Sequence, residues 1–185
     1  MTRAEPLTFP LAGLLGESPG ARREIPIERL VMPISDDLRL ASPLEGSLRL
    51  ARTNRGVLVE ARIATSIGGS CSRCLRELEI PLRLQIDEEA LPSLDLGSGQ
   101  QLDRSAEPDA LRLTDHHELE LGPLVREAVL LAEPIAPLCE PDCPGLCITC
   151  GARLDEGHPS HPDDDIDPRL AALRGFVVDG EPENG

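Results

Sequence analysis

Hydrophobic and polar residues alternate with a period of two through the middle of the chain. Leu48 and Leu50 flank Arg49, and Val57, Val59, Ala61 and Ile63 share one face while Glu60 and Arg62 share the other. Leu78, Ile80, Leu82, Leu84 and Ile86 then alternate with Glu79, Arg83 and Gln85. Successive side chains on a strand point to opposite faces, so each run predicts a half-buried β-strand. Thr53-Asn54-Arg55-Gly56 reads as the turn between the first two, with glycine supplying a positive φ. Upstream, the apolar stretch 7–15 predicts an edge strand and 24–32 another strand, separated by the turn-like Ser18-Pro19-Gly20 and the basic pair Arg22-Arg23.

The period changes near residue 121. Leu121, Leu124, Val125, Ala128 and Ala132 recur at helical spacing, with Pro123 near the start and Pro134 past the end, which predicts a helix near 121–133. Arg126 and Glu127 fall off that stripe and are expected to face solvent or a partner. Residues 91–110 are polar, rich in Gly, Ser and Asp, and show no period, so they read as a surface loop. Asp163-Asp164-Asp165 is read as solvation or capping, and the following residues open a last short helix with Leu170, Leu173 and Phe176 inward. The expected fold class is α+β. A twisted antiparallel sheet with one packed helix occupies 1–136, a cysteine-rich module with a short C-terminal helix occupies 137–175, and 176–185 is a flexible tail.

Composition sharpens this picture. The chain has 185 residues, no Trp, no Tyr and two Phe, so its core must be aliphatic. Eighteen prolines and 16 glycines favour short elements joined by breaks over long helices. All 18 basic residues are Arg, and the formal net charge of −15 repels nucleic acid at long range. The lack of Trp and Tyr also removes the usual stacking platforms for single-stranded bases.

The sharpest chemical signal is a pair of cysteine knuckles, Cys71-Ser72-Arg73-Cys74 at the tip of the predicted hairpin and Cys147-Ile148-Thr149-Cys150 in the C-terminal segment. Two thiolates on one tight loop reach a single ion, and two loops complete the four sulfurs that structural zinc prefers. The expected site is therefore Cys71, Cys74, Cys147 and Cys150. Cys139, Cys143, His158 and His161 are alternative ligands, and one alternative set closes on Cys143, Cys147, Cys150 and His161. Gly151, directly after the last cysteine, fits a knuckle that reverses at positive φ. The segment from Pro137 has too little apolar content to fold alone, and zinc binding, worth roughly 10 kcal/mol or more, would order it.

Disulfides are the rival use of six cysteines. Residues 1–20 carry no basic start followed by an apolar run, and no stretch has the length of a membrane span, so a cytoplasmic, reducing setting and metal ligation are expected. A thiol redox role is a further alternative, since Arg73 between two cysteines favours thiolate.

Four motifs in order, CSRCL (71–75), LVREAVLLAEP (124–134), PLCEPDCPGLCITCGARL (137–154) and IDPRLAAL (166–173), resemble the YceD family, also called large ribosomal RNA subunit accumulation proteins. The resemblance runs from about Ser18 to Leu173. It implies a role in accumulation or processing of large-subunit (23S) ribosomal RNA, and the expected form of that role is a noncatalytic factor that binds this RNA or a basic ribosomal protein. Some members carry further cysteines after the stretch equivalent to 153–157, where this chain has His158 and His161, and some keep the first knuckle without the second. An RNA contact would need a local arginine cluster, for which Arg73, Arg76, Arg126 and Arg153 are the candidates. A metal-dependent RNA-processing enzyme is disfavoured, because a closed thiolate set leaves no place for water and neither Asp115-His116-His117 nor the aspartates at 163–167 shows a catalytic spacing.

Overall fold

A computed structural model describes residues 7–103, 105, 107–154, 157, 158 and 169. Its central feature is a four-stranded antiparallel meander in the order β2 (Arg22–Leu30), β3 (Leu40–Arg52), β4 (Val57–Ser70), β5 (Glu77–Ala90). The period-two runs become these strands. Their registers align Leu48 with Ala61 and Ala61 with Ile86, and pair Ile63 with Leu84, so the apolar positions stack on one face. Arg49, Glu60, Arg62 and Gln85 alternate onto the opposite, solvated face.

A small second sheet pairs β1 (Thr8–Pro10) with β6 (Glu118–Glu120). The expected edge strand over 7–15 is thus only three residues long. The chain then turns into α1 (Ala12–Leu15), which buries Leu14 and Leu15 together with the preceding Leu11. α2 (Leu121–Ala132) forms where the helical spacing predicts it and packs on β5, with Leu121, Val125 and Val129 fully buried. These helices, with Met32, Ile34, Leu38, Leu113 and Leu119, cover the apolar sheet face as one aliphatic core. The loop after β5 is held at its root: Leu91 N–H donates to the Leu111 carbonyl, Leu113 N–H donates to the Leu91 carbonyl, and the buried Ser93 hydroxyl donates to the Leu113 carbonyl.

Gly56 does not serve as the positive-φ residue expected of it. The Thr53 Oγ1 instead accepts from the Gly56 N–H at 2.9 Å and closes the turn, while a Cβ at Gly56 would lie 2.2 Å from the Ala90 carbonyl oxygen. Close approach of β5 is what demands glycine there. His116 and His117 lie in the turn that enters β6, not on a strand; His117 has φ of 57° and its carbonyl receives the Leu11 N–H. Among the described residues no helix is long and apolar enough to cross a membrane. Apart from Arg169, the predicted C-terminal helix with Leu170, Leu173 and Phe176, the tail 176–185 and Asp163, Asp164, Asp165 and Asp167 lie outside the described residues.

Leu48 is wholly enclosed between neighbouring strands and the helices. Truncation of such a side chain leaves a cavity that a β-sheet cannot close, so Leu48→Ala is expected to cost about 2–5 kcal/mol in denaturant unfolding. Arg62→Ala, on the solvated face, is expected to cost no more than about 0.5 kcal/mol.

Candidate metal centre

β4 and β5 pair without a register break from Val57↔Ala90 to Ser70↔Glu77, and the first knuckle closes the hairpin directly beyond this last pair. Its loop is fixed by its own backbone: Cys71 N–H donates to the Arg76 carbonyl at 2.8 Å, and Leu75 N–H donates to the Cys71 carbonyl at 2.9 Å. Leu75 adopts φ of 59°, an uncommon conformation for a branched residue, and its side chain stays in solvent. Reversal at Leu75 turns both thiols inward, where Cys71 and Cys74 are buried.

The partners of this pair are Cys139 and Cys143. Cys71 Sγ lies 3.7 Å from Cys143 Sγ, and Cys74 Sγ lies 3.7 Å from Cys139 Sγ. All four sulfurs fall within 4.8 Å of one another, and all six cysteines are free thiols. Four sulfurs arranged tetrahedrally about an ion at about 2.3 Å have edges of about 3.8 Å, a length that the two 3.7 Å contacts already match. The four cysteines could hold a metal ion.

The expected union of Cys71 and Cys74 with Cys147 and Cys150 does not form, and neither does the alternative joining Cys143 to the second knuckle. The reason is the order in which the returning chain meets the hairpin tip. Just after α2, the Pro137 carbonyl accepts from the Ser72 N–H at 2.8 Å, which seats the chain beside the first knuckle. Cys139 and Cys143 are the next cysteines and take the two remaining positions. Cys147 and Cys150 are carried onward on a small hairpin of their own, bridged at Leu146↔Arg153. They gather with His158 instead, with Cys150 Sγ 2.9 Å from His158 Nε2. His161 lies outside the described residues.

The second knuckle repeats the first. Cys147 N–H donates to Ala152 at 2.7 Å, Gly151 N–H donates to Cys147 at 2.8 Å, and Gly151 has φ of 71°, as its position predicts. In both loops the backbone amide of the second cysteine lowers the pKa of the first thiol. The Cys74 amide holds Cys71 at about 6, and the Cys150 amide, with Thr149 behind it, lowers Cys147. Cys139 is pushed up to about 12, first by the Cys143 side chain and then by burial, and Cys143 is raised chiefly by burial. Crowded thiols resist ionising together unless a cation balances them.

Two of the four arginines considered for partner binding lock this region internally. Arg73 donates to the Cys143 carbonyl at 3.0 Å, and Arg153 donates to the Cys74 carbonyl at 3.2 Å, a reciprocal pair between hairpin tip and arm. Gly145, with φ of 84°, fits against Arg73, where a Cβ would sit 3.3 Å from the Arg73 carbonyl oxygen. Arg126 lies on α2 and donates to the Pro33 carbonyl at 3.2 Å, so it braces the β2–β3 connection. Arg76 also makes an interaction within the protein.

The family model described as Large ribosomal RNA subunit accumulation protein YceD matches residues 59–177, from β4 through both cysteine groups. The chain belongs to the YceD family. The match starts later than the resemblance read from Ser18, so β2 and β3 lie outside it. Similar proteins include uncharacterized proteins of Mycobacterium tuberculosis and Mycobacterium bovis, each 36% identical over 120 residues, which are 65% of this chain and 55% of theirs. An uncharacterized protein of Mycobacterium leprae is 30% identical over 152 residues, 82% of this chain and 62% of its own length. The chain therefore spans little more than half the length of the curated relatives it matches. No solved structure matches it.

Two outcomes follow for this YceD-family protein. Cys143→Ser is expected to expose 137–154 to limited proteolysis, whereas Cys147→Ser opens only the 146–153 hairpin; equal cleavage in both variants would contradict separate cysteine groups. In metal-free protein, the lowered Cys71 pKa contributes stability that is lost as pH falls through about 6. The raised Cys139 pKa contributes stability that is lost as pH rises from the ordinary 9.0 toward about 12. Protease protection of the arm should accordingly peak near pH 9.0, where both contributions are full, and fall away on either side.

Proposed function

We propose that this protein is a noncatalytic ribosome-biogenesis factor that supports accumulation or processing of large-subunit ribosomal RNA. In this reading a structural zinc at Cys71, Cys74, Cys139 and Cys143 staples the C-terminal arm to the β-hairpin. The carrying observation is the set of four convergent sulfurs, three of them buried and that of Cys139 half-buried. A cage with four protein ligands leaves no coordination position for water, which suits a structural ion and disfavours metal-assisted hydrolysis. Zinc supplies the positive charge that lets the four thiols ionise together. The chain supplies the rest: two knuckle amides aimed at the Cys71 side, the Pro137–Ser72 hydrogen bond, and the Arg73 and Arg153 clasps. Membership of the YceD family, whose members are known as large ribosomal RNA subunit accumulation proteins, supplies the biological setting.

A basic ribosomal protein suits the chain better as direct partner than RNA does. Its charge of −15 attracts a cationic protein and repels phosphate, and Arg73, Arg126 and Arg153 each already use a donor on an internal carbonyl. This interaction, like the zinc, is a proposal about the whole protein. The test is crosslinking of the full chain in its native host, followed by identification of attached RNA and protein and by elemental analysis. Crosslinks to a large-subunit ribosomal protein, with zinc present and lost in Cys139→Ser, are the expected result. Crosslinks confined to RNA would move the contact to RNA, and recovery of no ribosomal component would overturn the assembly role.

A further inference from the structure

We propose that Cys147, Cys150 and His158 form a second metal centre, separate from the four-cysteine set, filled after it and open to exchange. It uses none of the first centre's ligands and stands on different observations. The loop 147–151 has the same two backbone hydrogen bonds and the same positive-φ reversal as the knuckle at 71–75. That geometry aims both sulfurs of a knuckle to one side. Thr149 N–H also lies 3.4 Å from Cys147 Sγ, the amide contact that a metal-bound thiolate accepts. His158 then returns to the same point, and its ligand atom and the two sulfurs lie within 4.8 Å of one another. Two thiolates and an imidazole are a donor set that suits zinc.

The order of filling follows from the distances. The first set already has sulfur separations of 3.7 Å, close to the tetrahedral edge. The second is closed by a sulfur–nitrogen contact of 2.9 Å, a hydrogen-bond length, whereas S and N ligands of one zinc stand about 3.6 Å apart. Metal entry releases thiol protons at both centres, but at the second it must also open this contact, a rearrangement that the two 3.7 Å pairs of the first set do not need. Cys150 is exposed while Cys71, Cys74 and Cys143 are buried, so chelators and competing ligands reach the second centre directly. The clasp of Arg153 on Cys74 ties the base of the second hairpin to the first centre, so the second knuckle is built on a support the first metal orders.

The decisive experiment saturates the full-length chain with zinc, removes excess by desalting, and measures metal per chain in wild type, Cys147→Ser/Cys150→Ser and Cys139→Ser. A chromogenic chelator then follows release. Wild type is expected to hold about two zinc per chain and to lose one quickly, while the double variant holds about one and lacks the fast phase. Cobalt loading gives an independent readout, since the second increment should show the weaker charge-transfer absorption of two thiolates compared with four. A wild type that saturates at one zinc, kept by the double variant and lost by Cys139→Ser, would overturn the second centre and leave the first standing. One zinc lost by the double variant and kept by Cys139→Ser would overturn the first centre and the order of filling, and leave only the second ligand set standing. Equal metal content in wild type and the double variant overturns it in every case.

Discussion

The unbroken pairing of β4 with β5 is the constraint on which the rest of the molecule depends. Fourteen residues on each strand pair in a single register, so one period-two pattern serves two ends. At the inner end, Val59, Ala61, Ile63, Leu84 and Ile86 line the aliphatic core. At the outer end, beyond the reach of the helices, the same ladder delivers Cys71 and Cys74 as a rigid pair. A slip of one residue would turn the apolar set outward and the thiols away from the arm. Fold stability and site geometry therefore rest on the same hydrogen bonds.

The arm that returns after α2 has no comparable resource. It is held by polar contacts to the hairpin tip and by sulfur packing in a small cluster of Cys71, Cys74, Cys139 and Cys143 with Leu78 and Leu146. Buried thiols of this kind pack as small hydrophobes when protonated and become a charged cage when ionised. The split between a lowered Cys71 and raised Cys139 and Cys143 reflects that conflict. A bound cation would resolve it, and binding there would order the arm at the same time. The two arginine clasps are reciprocal, each side chain reaching the backbone of the opposite partner, so the docking geometry does not depend on sulfur alone.

The same feature separates arm and core in solvent exposure. Outward from the first cysteine group the chain becomes progressively wetter, through the half-buried Leu146 to Ile148, which is fully exposed at the knuckle tip. Ile135 and Leu131 are likewise uncovered near the end of α2.

The sequence by itself determined the period-two strands of the main sheet, the one long helix and the presence of two knuckles, because all of these are local. Period two, helical spacing and a two-residue gap between cysteines are fixed within a few residues by backbone geometry. It also carried a hint that two cysteine groups exist, since six cysteines with His158 and His161 make eight donors, twice what one ion uses. Which donors meet was decided only by tertiary structure. Spacing treats the two CxxC pairs as natural partners, but the Pro137–Ser72 hydrogen bond brings Cys139 and Cys143 to the hairpin tip first, and the Leu146–Arg153 hairpin carries the second knuckle away. The role of Gly56 was hidden for the same reason. A turn motif suggests positive φ, whereas the steric demand comes from Ala90 on a strand more than thirty residues later. Long-range approach of backbone to backbone leaves no periodic trace in the chain that makes it.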